Sequence, residues 1–180
     1  MLPETIQTKR LHLRRPRLAD AAGIFDRYAQ DPHVTRYLMW MPHQSIAQTR
    51  QFLTESVEGR RAGRQFHWVI CPADEETHVM GMIGLDCEGF KVDLGYALAR
   101  DRWGRGLASE AAKAVVDAAL AEEHIVRVGA HCHAENIASA RVLEKAGMQR
   151  EGLLRRMVAF PNLAGAVCDI IVYAKVKELR

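Results

Sequence analysis

Apolar and polar positions alternate over residues 8–14, with Leu11 and Leu13 on one face and Arg10, His12 and Arg14 on the other. That period of two predicts a half-buried strand, which Pro16 ends. From Leu18 the period lengthens: Leu18, Ala21, Ala22, Ile24, Phe25 and Tyr28 recur at helical spacing and predict a helix over 18–30, closed by Asp31-Pro32. Ser45 is placed to cap a second helix that runs to about Arg61, with Gly63 as its stop. Strand-like runs at 66–71, 79–86 and 92–99 follow, separated by Pro72-Ala73-Asp74 and Glu88-Gly89, and their spacing predicts an antiparallel meander.

Beyond residue 100 the pattern changes. Leu107, Ala111, Ala112, Val115, Val116, Ala119 and Leu120 line one side of a helix that leads into a strand at 126–133. A strand, a helix and a strand in that order predict a crossover, with the flanking strands parallel inside a mixed sheet. Asn136 and Gly147 mark the ends of a third helix, and strands at 149–159 and 166–176 close the chain around a Pro161-Asn162 turn. No repeat, linker or low-complexity segment interrupts 1–180, so a single domain is expected.

Composition narrows the classes. With 180 residues, 48% of them hydrophobic and 26% charged, the chain can bury one core and does not read as disordered. A net charge of +3, with arginines clustered only at 14–17, 60–64 and 155–156, is too weak and scattered a stripe for a dedicated nucleic-acid binder. The uncharged apolar run at 170–174 is far too short for a membrane span, so no membrane partner is expected. Cys71, Cys87, Cys132 and Cys168 have no metal or redox spacing, and no secretory signal precedes Glu4; both point to a reduced, cytoplasmic setting. His131 and His133 share a strand face, but no further ligand stands near them in sequence, and no metal is expected.

The segment with chemical content is Ala99-Arg-Asp-Arg-Trp-Gly-Arg-Gly-Leu-Ala-Ser-Glu-Ala, where Gly104 and Gly106 stand between a strand and a helix start. Glycines there let main chain approach a ligand closely, and the free N–H groups of a helix start attract phosphate. No Gly-Lys-Ser/Thr follows, and Ser109 stands where a dinucleotide fingerprint has its third glycine. On its own the segment fits a tight turn before a helix as well as it fits a pyrophosphate cradle.

Three stretches taken together resemble the GNAT superfamily of acetyl-CoA-dependent N-acetyltransferases, and within it the RimJ/RimL branch. They are Tyr96 through Ala111 with its Arg-Trp-Gly-Arg-Gly, Asn136-Ile-Ala-Ser-Ala-Arg-Val-Leu-Glu-Lys-Ala-Gly-Met, and Glu151-Gly-Leu-Leu-Arg. The opening Thr8-Lys-Arg-Leu-His-Leu-Arg-Arg-Pro and the closing Asp169-Ile-Ile-Val-Tyr match as well, so the likeness covers nearly the whole chain. It implies an α+β fold: a mostly antiparallel sheet of six or seven strands, flanked by helices and splayed between the fourth and fifth strands. Acetyl-CoA would lie in the splay, its phosphates held by the main chain of Trp103, Gly104, Arg105, Gly106, Leu107, Ala108 and Ser109, with added charge from Arg102 or Arg105. Trp103 stands where the family often has Gln or Arg.

The resemblance also implies that main chain around Tyr96, Ala97 and Leu98 lines the splay and that Asn136 touches the pantetheine side, a role that competes with plain helix capping. Many GNAT enzymes carry an acidic tyrosine where this chain has Leu143; in RimL-like members a serine matching Ser139 is the proton donor to the thiolate. The family's base position falls on Asp93, as base or as substrate-orienting group, with Glu88 and Asp86 as rivals. Trp40, between Met39 and Met41, is either core or a wall of the acceptor pocket. Cys132 lacks an activating base on its own face of the strand, which favours direct transfer over a covalent intermediate. The expected acceptor is a protein or peptide N-terminus, with a small-molecule amine second and a non-catalytic acyl-CoA-binding module as the reading from another class. Dimers are common among similar proteins.

Overall fold

The computed structural model describes residues 2–178. One eight-stranded sheet runs through the molecule in the order β1-β2-β3-β4-β5-β6-β8-β7, formed by Thr5–Gln7, Leu11–Arg14, Gln65–Pro72, Gly81–Glu88, Lys91–Leu98, Arg127–His133, Gln149–Ala159 and Val167–Val176 for β1 to β8. All neighbours are antiparallel except β5 and β6. Those two are joined by the crossover helix, as the periodicity predicts. Among the described residues five α-helices flank the sheet: α1 Ala21–Ile24, α2 Pro32–Thr35, α3 Ile46–Arg61, α4 Leu107–Ala121 and α5 Ile137–Lys145.

Each face of the sheet has its own core. Leu11, Leu13, Trp68, Ile83, Leu85, Val92 and Leu94 meet the Leu107, Ala111, Val115 and Val116 stripe of α4 on one side. On the other, Val69, Cys71 and Met82 meet Ile24, Tyr28 and Leu53 from the N-terminal helices. Successive residues of β3 thus supply opposite layers, as strand geometry requires. Arg14 and Asp20 form a buried pair, with Nη2 2.6 Å from Oδ1 and Nη1 2.9 Å from Oδ2.

Three sequence expectations are corrected. The strand placed at 8–14 begins only at Leu11, because Thr8 Oγ1 accepts from Leu11 N at 2.9 Å and turns the chain, and a further strand, Thr5–Gln7, pairs with it from before that turn. The sheet therefore has eight strands rather than six or seven, and the expected fourth and fifth strands, between which the splay falls, are β5 and β6. The helix placed at 18–30 is a 3₁₀ turn, Leu18–Asp20, then α1, then a π turn, Phe25–Ala29. The run ends at Gln30, before Asp31-Pro32 as expected, and Asp31 also opens α2, accepting from His33 N at 2.8 Å with Pro32 at the first helical position, where no N–H is needed. Ser45 does precede α3, yet its side chain makes no capping bond.

Candidate active site

Strands β5 and β6 pair only at Lys91–Arg127, Val92–Val128 and Asp93–Gly129. Beyond Asp93 they part, and half of the main-chain groups of β5 lose a strand partner. Which half follows from the neighbours: Ala99 N donates to Met80 O, and a Cβ on Gly81 would lie 2.3 Å from Ala97 O, so the odd-numbered residues turn to β4. By alternation Leu94, Tyr96 and Leu98 turn theirs into the gap. Ala97 thus keeps its main chain on the β4 side, while Leu98 lies on the gap edge.

At the wide end of the gap the chain makes a 3₁₀ turn, Arg100–Arg102, and enters α4 through Gly104 and Gly106, whose φ angles are +73° and +74°. A side chain is strained in that region, which explains why glycine stands at both positions. Gly106 is the N-cap of α4 and makes no side-chain cap, so the N–H groups of Leu107, Ala108 and Ser109 stand at the positive end of a 15-residue helix. A Cβ at Gly104 would meet nothing within 4 Å, so the loop offers main chain to open space. Trp103, exposed, donates its indole N–H to Leu98 O at 2.7 Å and ties the loop to the end of β5. Its side chain thus has a bracing role that the motif comparison did not assign. Arg102 turns to His78, with Nη2 3.0 Å from Nε2, and Arg105 is exposed.

A brace that the sequence gives no local sign of comes from the N-terminal ribbon. Glu110 accepts from Thr8 Oγ1 at 2.7 Å, Arg10 N at 3.0 Å and Arg10 Nε at 2.6 Å, and Arg10 Nη1 donates to Arg105 O at 2.9 Å. Burial pushes the Glu110 carboxyl up, but the bonds from Thr8 and Arg10 outweigh it and the carboxyl ends below its usual range. The partners are about a hundred residues apart in the chain, beyond the reach of any periodicity.

Across the gap, Asn136 caps α5 by accepting from Ser139 N at 3.1 Å, which fixes Ser139 in the first turn. The Ser139 hydroxyl then meets the phenol of Tyr96, Oγ to Oη 2.7 Å, so that a side chain from β5 reaches α5 over the splay. Burial pushes the Tyr96 phenol well up, while its bond to Ser139 pulls the other way. The sequence reading used only the main chain of Tyr96 and missed this phenol, which stands in contact with Ser139 although Leu143, the expected tyrosine position, is buried in the core. Cys132 lies on the same side, buried, its thiol pushed up by that burial; a protonated thiol is a poor nucleophile.

The opposite face of the sheet carries the acidic residues. Asp86 and Asp93 are exposed cross-strand partners, and Asp93 Oδ1 covers Gly129 so closely that a Cβ there would be 2.6 Å away. Glu88 is drawn off to Lys91 at the end of the β4–β5 hairpin, with Nζ 3.0 Å from Oε2. An aromatic row rises beside them, with ring centroids 5.2 Å apart for Trp40 and His43, 6.4 Å for His43 and Phe52, and 5.7 Å for Phe52 and His67. Trp40 is half-buried against the second core, whereas Met39 and Met41 are exposed. His133 stacks between Tyr37 and Phe160 while His131 faces outward, and no cluster of three metal-ligating side chains occurs among the described residues.

A sheet split by a crossover helix with a glycine loop at its start is what the family comparisons match. Residues 10–149 fit the family model for the acetyltransferase (GNAT) domain, so the chain belongs to the GNAT family. It is 31% identical over 179 residues to the uncharacterized N-acetyltransferase p20 of Bacillus licheniformis, covering 97% of each chain. Among solved structures it resembles a GNAT-family acetyltransferase from Bacillus anthracis, at 25% identity and a TM-score of 0.83, over 96% of this chain and 98% of that one. It also shares the fold of RimL, a ribosomal L7/L12 alpha-N-protein acetyltransferase solved in complex with coenzyme A, at 19% identity, a TM-score of 0.85, and 96% and 98% coverage. The protein is an acetyl-CoA-dependent N-acetyltransferase. No described helix is long and apolar enough to cross a membrane.

Proposed function

We propose that this enzyme transfers acetyl directly from acetyl-CoA to the N-terminal amine of a protein or peptide, as a RimJ/RimL-like member of its family acting in the cytoplasm. The observation that carries the reading is the paired Asp86 and Asp93, exposed on the open face of the sheet at the point where β5 and β6 part. Two carboxylates there attract a cationic α-ammonium group, and the open face leaves room for the chain attached to it. The name of the neighbour RimL, an alpha-N-protein acetyltransferase, agrees with this reading. The half-buried Trp40 beside its row of rings favours a second reading, a compact small-molecule amine.

Acetyl-CoA supplies the activated thioester. In this reading the N–H groups of Gly104 to Ser109 hold its phosphates, the gap-facing main chain of Tyr96 and Leu98 orients its pantetheine, and the amide of Asn136 borders the same path. Two turns of positive φ and an uncapped helix start suit that ligand. Main-chain N–H groups of β5 at the vertex stabilise the oxyanion, and Ser139, hydrogen-bonded to Tyr96, protonates the departing sulfur. Asp93 and Asp86 draw in and orient the acceptor ammonium. Most of the rate comes from alignment of the amine with the carbonyl.

Thiol release from acetyl-CoA, followed against a panel of peptides with different N-terminal residues and a panel of small amines, tests the reading. Peptide-dependent release is expected. Release with small amines alone overturns the N-terminus assignment.

A further inference from the structure

His67 lies in the register row His67–Gly84–Gly95 that crosses β3, β4 and β5, two residues along the strands from the row holding Asp86 and Asp93 and so on the same face as it. Residues of one row share a face, so His67 is on the acidic side of the sheet, under α3. Its ring is laid flat over β4: a Cβ at Gly84 would come within 2.0 Å of Cδ2 and 2.8 Å of Nε2. Gly84 is therefore glycine because the imidazole occupies its side-chain space.

Gly95, next in the row, has no such reason. Its φ is ordinary, and a Cβ built on it would meet nothing within 4 Å. Glycine in mid-strand weakens a sheet, and where neither backbone angle nor neighbour demands it, it marks a place kept open for something else to approach. That place lies beside the vertex of the gap, past the last β5–β6 pair, Asp93–Gly129.

The ring is held from behind. Nδ1 is 2.8 Å from the buried Ser56 Oγ of α3, Phe52 packs against the ring, and Arg60 Nη1 reaches the His67 carbonyl at 3.4 Å. Nε2 makes no hydrogen bond to any described residue. The charged groups facing the ring are Asp86 from β4 and Arg60 from α3.

We propose that His67 Nε2 is the proton acceptor for the incoming amine, which sits over Gly95 between the imidazole and the Asp86–Asp93 pair. With Nδ1–H donating to Ser56 Oγ, the Nε2 lone pair faces the amine. The ammonium N–H bond breaks and an Nε2–H bond forms, and Asp86 offsets the imidazolium charge. The free amine lone pair then forms the C–N bond at the thioester carbonyl, whose oxygen takes the charge, and the C–S bond breaks as that oxyanion collapses. Of the ammonium's three protons, one stays on the amide, one ends on the coenzyme A thiol by way of Ser139, and one leaves through Nε2 to solvent. Burial pushes the His67 imidazole below its usual range despite Asp86, so the ring is neutral and able to accept at neutral pH.

This inference rests on the placement of the acceptor site given above but not on which amine fills it, so it is tested with whichever amine the wild type turns over. For wild type, kcat/KM is expected to fall on the acid side with a limb below the ordinary imidazole value of about 6.5. In His67→Gln that limb disappears: log kcat/KM climbs with unit slope up to the amine's own pKa, and kcat at pH 7 drops on the order of a hundredfold. Acetyl-CoA affinity is unchanged. A retained wild-type limb, or a change in KM alone, overturns the proposal. Gly95→Ala gives an independent test that leaves the fold intact, since its methyl enters open space: acceptor kcat/KM falls at unchanged acetyl-CoA affinity, and undiminished turnover sinks the assignment. If peptides fail and small amines react, the N-terminus reading falls while the His67 result stands.

Discussion

Tyr96 and Ser139 share one hydrogen bond across the splay, and in the proposed reaction the two hydroxyls would divide the proton donor's work between them. Ser139, in the first turn of α5, is oriented by its own N–H bond to Asn136, whereas the Tyr96 phenol is the group that burial keeps protonated. A Ser139→Ala enzyme is expected to lose on the order of a hundredfold in kcat while binding acetyl-CoA as before. Tyr96→Phe is expected to lose less, because Ser139 remains. Single-turnover rates with equilibrium acetyl-CoA titrations separate these effects; a Ser139→Ala rate equal to wild type removes the serine from the chemistry. The serine was legible from its place in a motif. Its partner was not, because a phenol on β5 and a hydroxyl on α5 meet only once the two elements diverge from a common vertex.

At the scale of elements, the start of α4 is the feature that the sequence displayed best. Two glycines before an apolar helical stripe define a left-handed entry with free N–H groups, and the structure has it. What holds that entry still is the β1–β2 ribbon, through Thr8, Arg10 and Glu110. Glu110→Gln leaves Arg10 without its charge partner beside the Arg105 carbonyl, and the loop loosens. Acetyl-CoA Kd, measured by calorimetry, is expected to rise roughly tenfold, about 1.4 kcal/mol, with kcat at saturation near wild type. An unchanged Kd shows that the brace does not shape the loop. The β1–β2 ribbon went unread because its turn is held by a threonine hydroxyl, whose partner three residues on carries no mark in the alternation.

For the whole molecule, the hairpin of β7 and β8 reaches back to the N-terminal helices. Asn162 Nδ2 lies 2.8 Å from Thr35 O, 3.2 Å from Leu38 O and 2.8 Å from Trp40 O, so the loop bearing Trp40 is held by a turn more than 120 residues later. Asn162→Ala removes bonds worth about 1 kcal/mol each, and the acceptor KM is expected to rise with acetyl-CoA affinity intact. A KM that does not move takes the loop out of acceptor binding. Stability should also depend on pH through His43 and His67, both pushed below the ordinary imidazole range by burial. Below about pH 6.5 the unfolded chain takes up protons on these rings before the folded one does. Their contribution is therefore complete above that value and lost as pH falls toward the folded-state values. Urea midpoints from pH 8 to 5 are expected to drop on the acid side, less steeply in a His43→Gln, His67→Gln double variant; parallel curves contradict the assignment.

What the sequence determined by itself was local: the periods of two and 3.6 that place most of the strands and helices, the crossover that makes β5 and β6 parallel, and the glycine loop whose backbone angles only glycine adopts freely. Those signals act between near neighbours, so they survive in one dimension. The Tyr96–Ser139 bond, the Arg10–Glu110 brace, the pairing of Asp86 with Asp93 and the imidazole laid over Gly84 beside an open Gly95 were decided by the tertiary structure. Each depends on sheet register and on the angle at which β5 and β6 part, quantities set by packing across two cores rather than by any short run of residues.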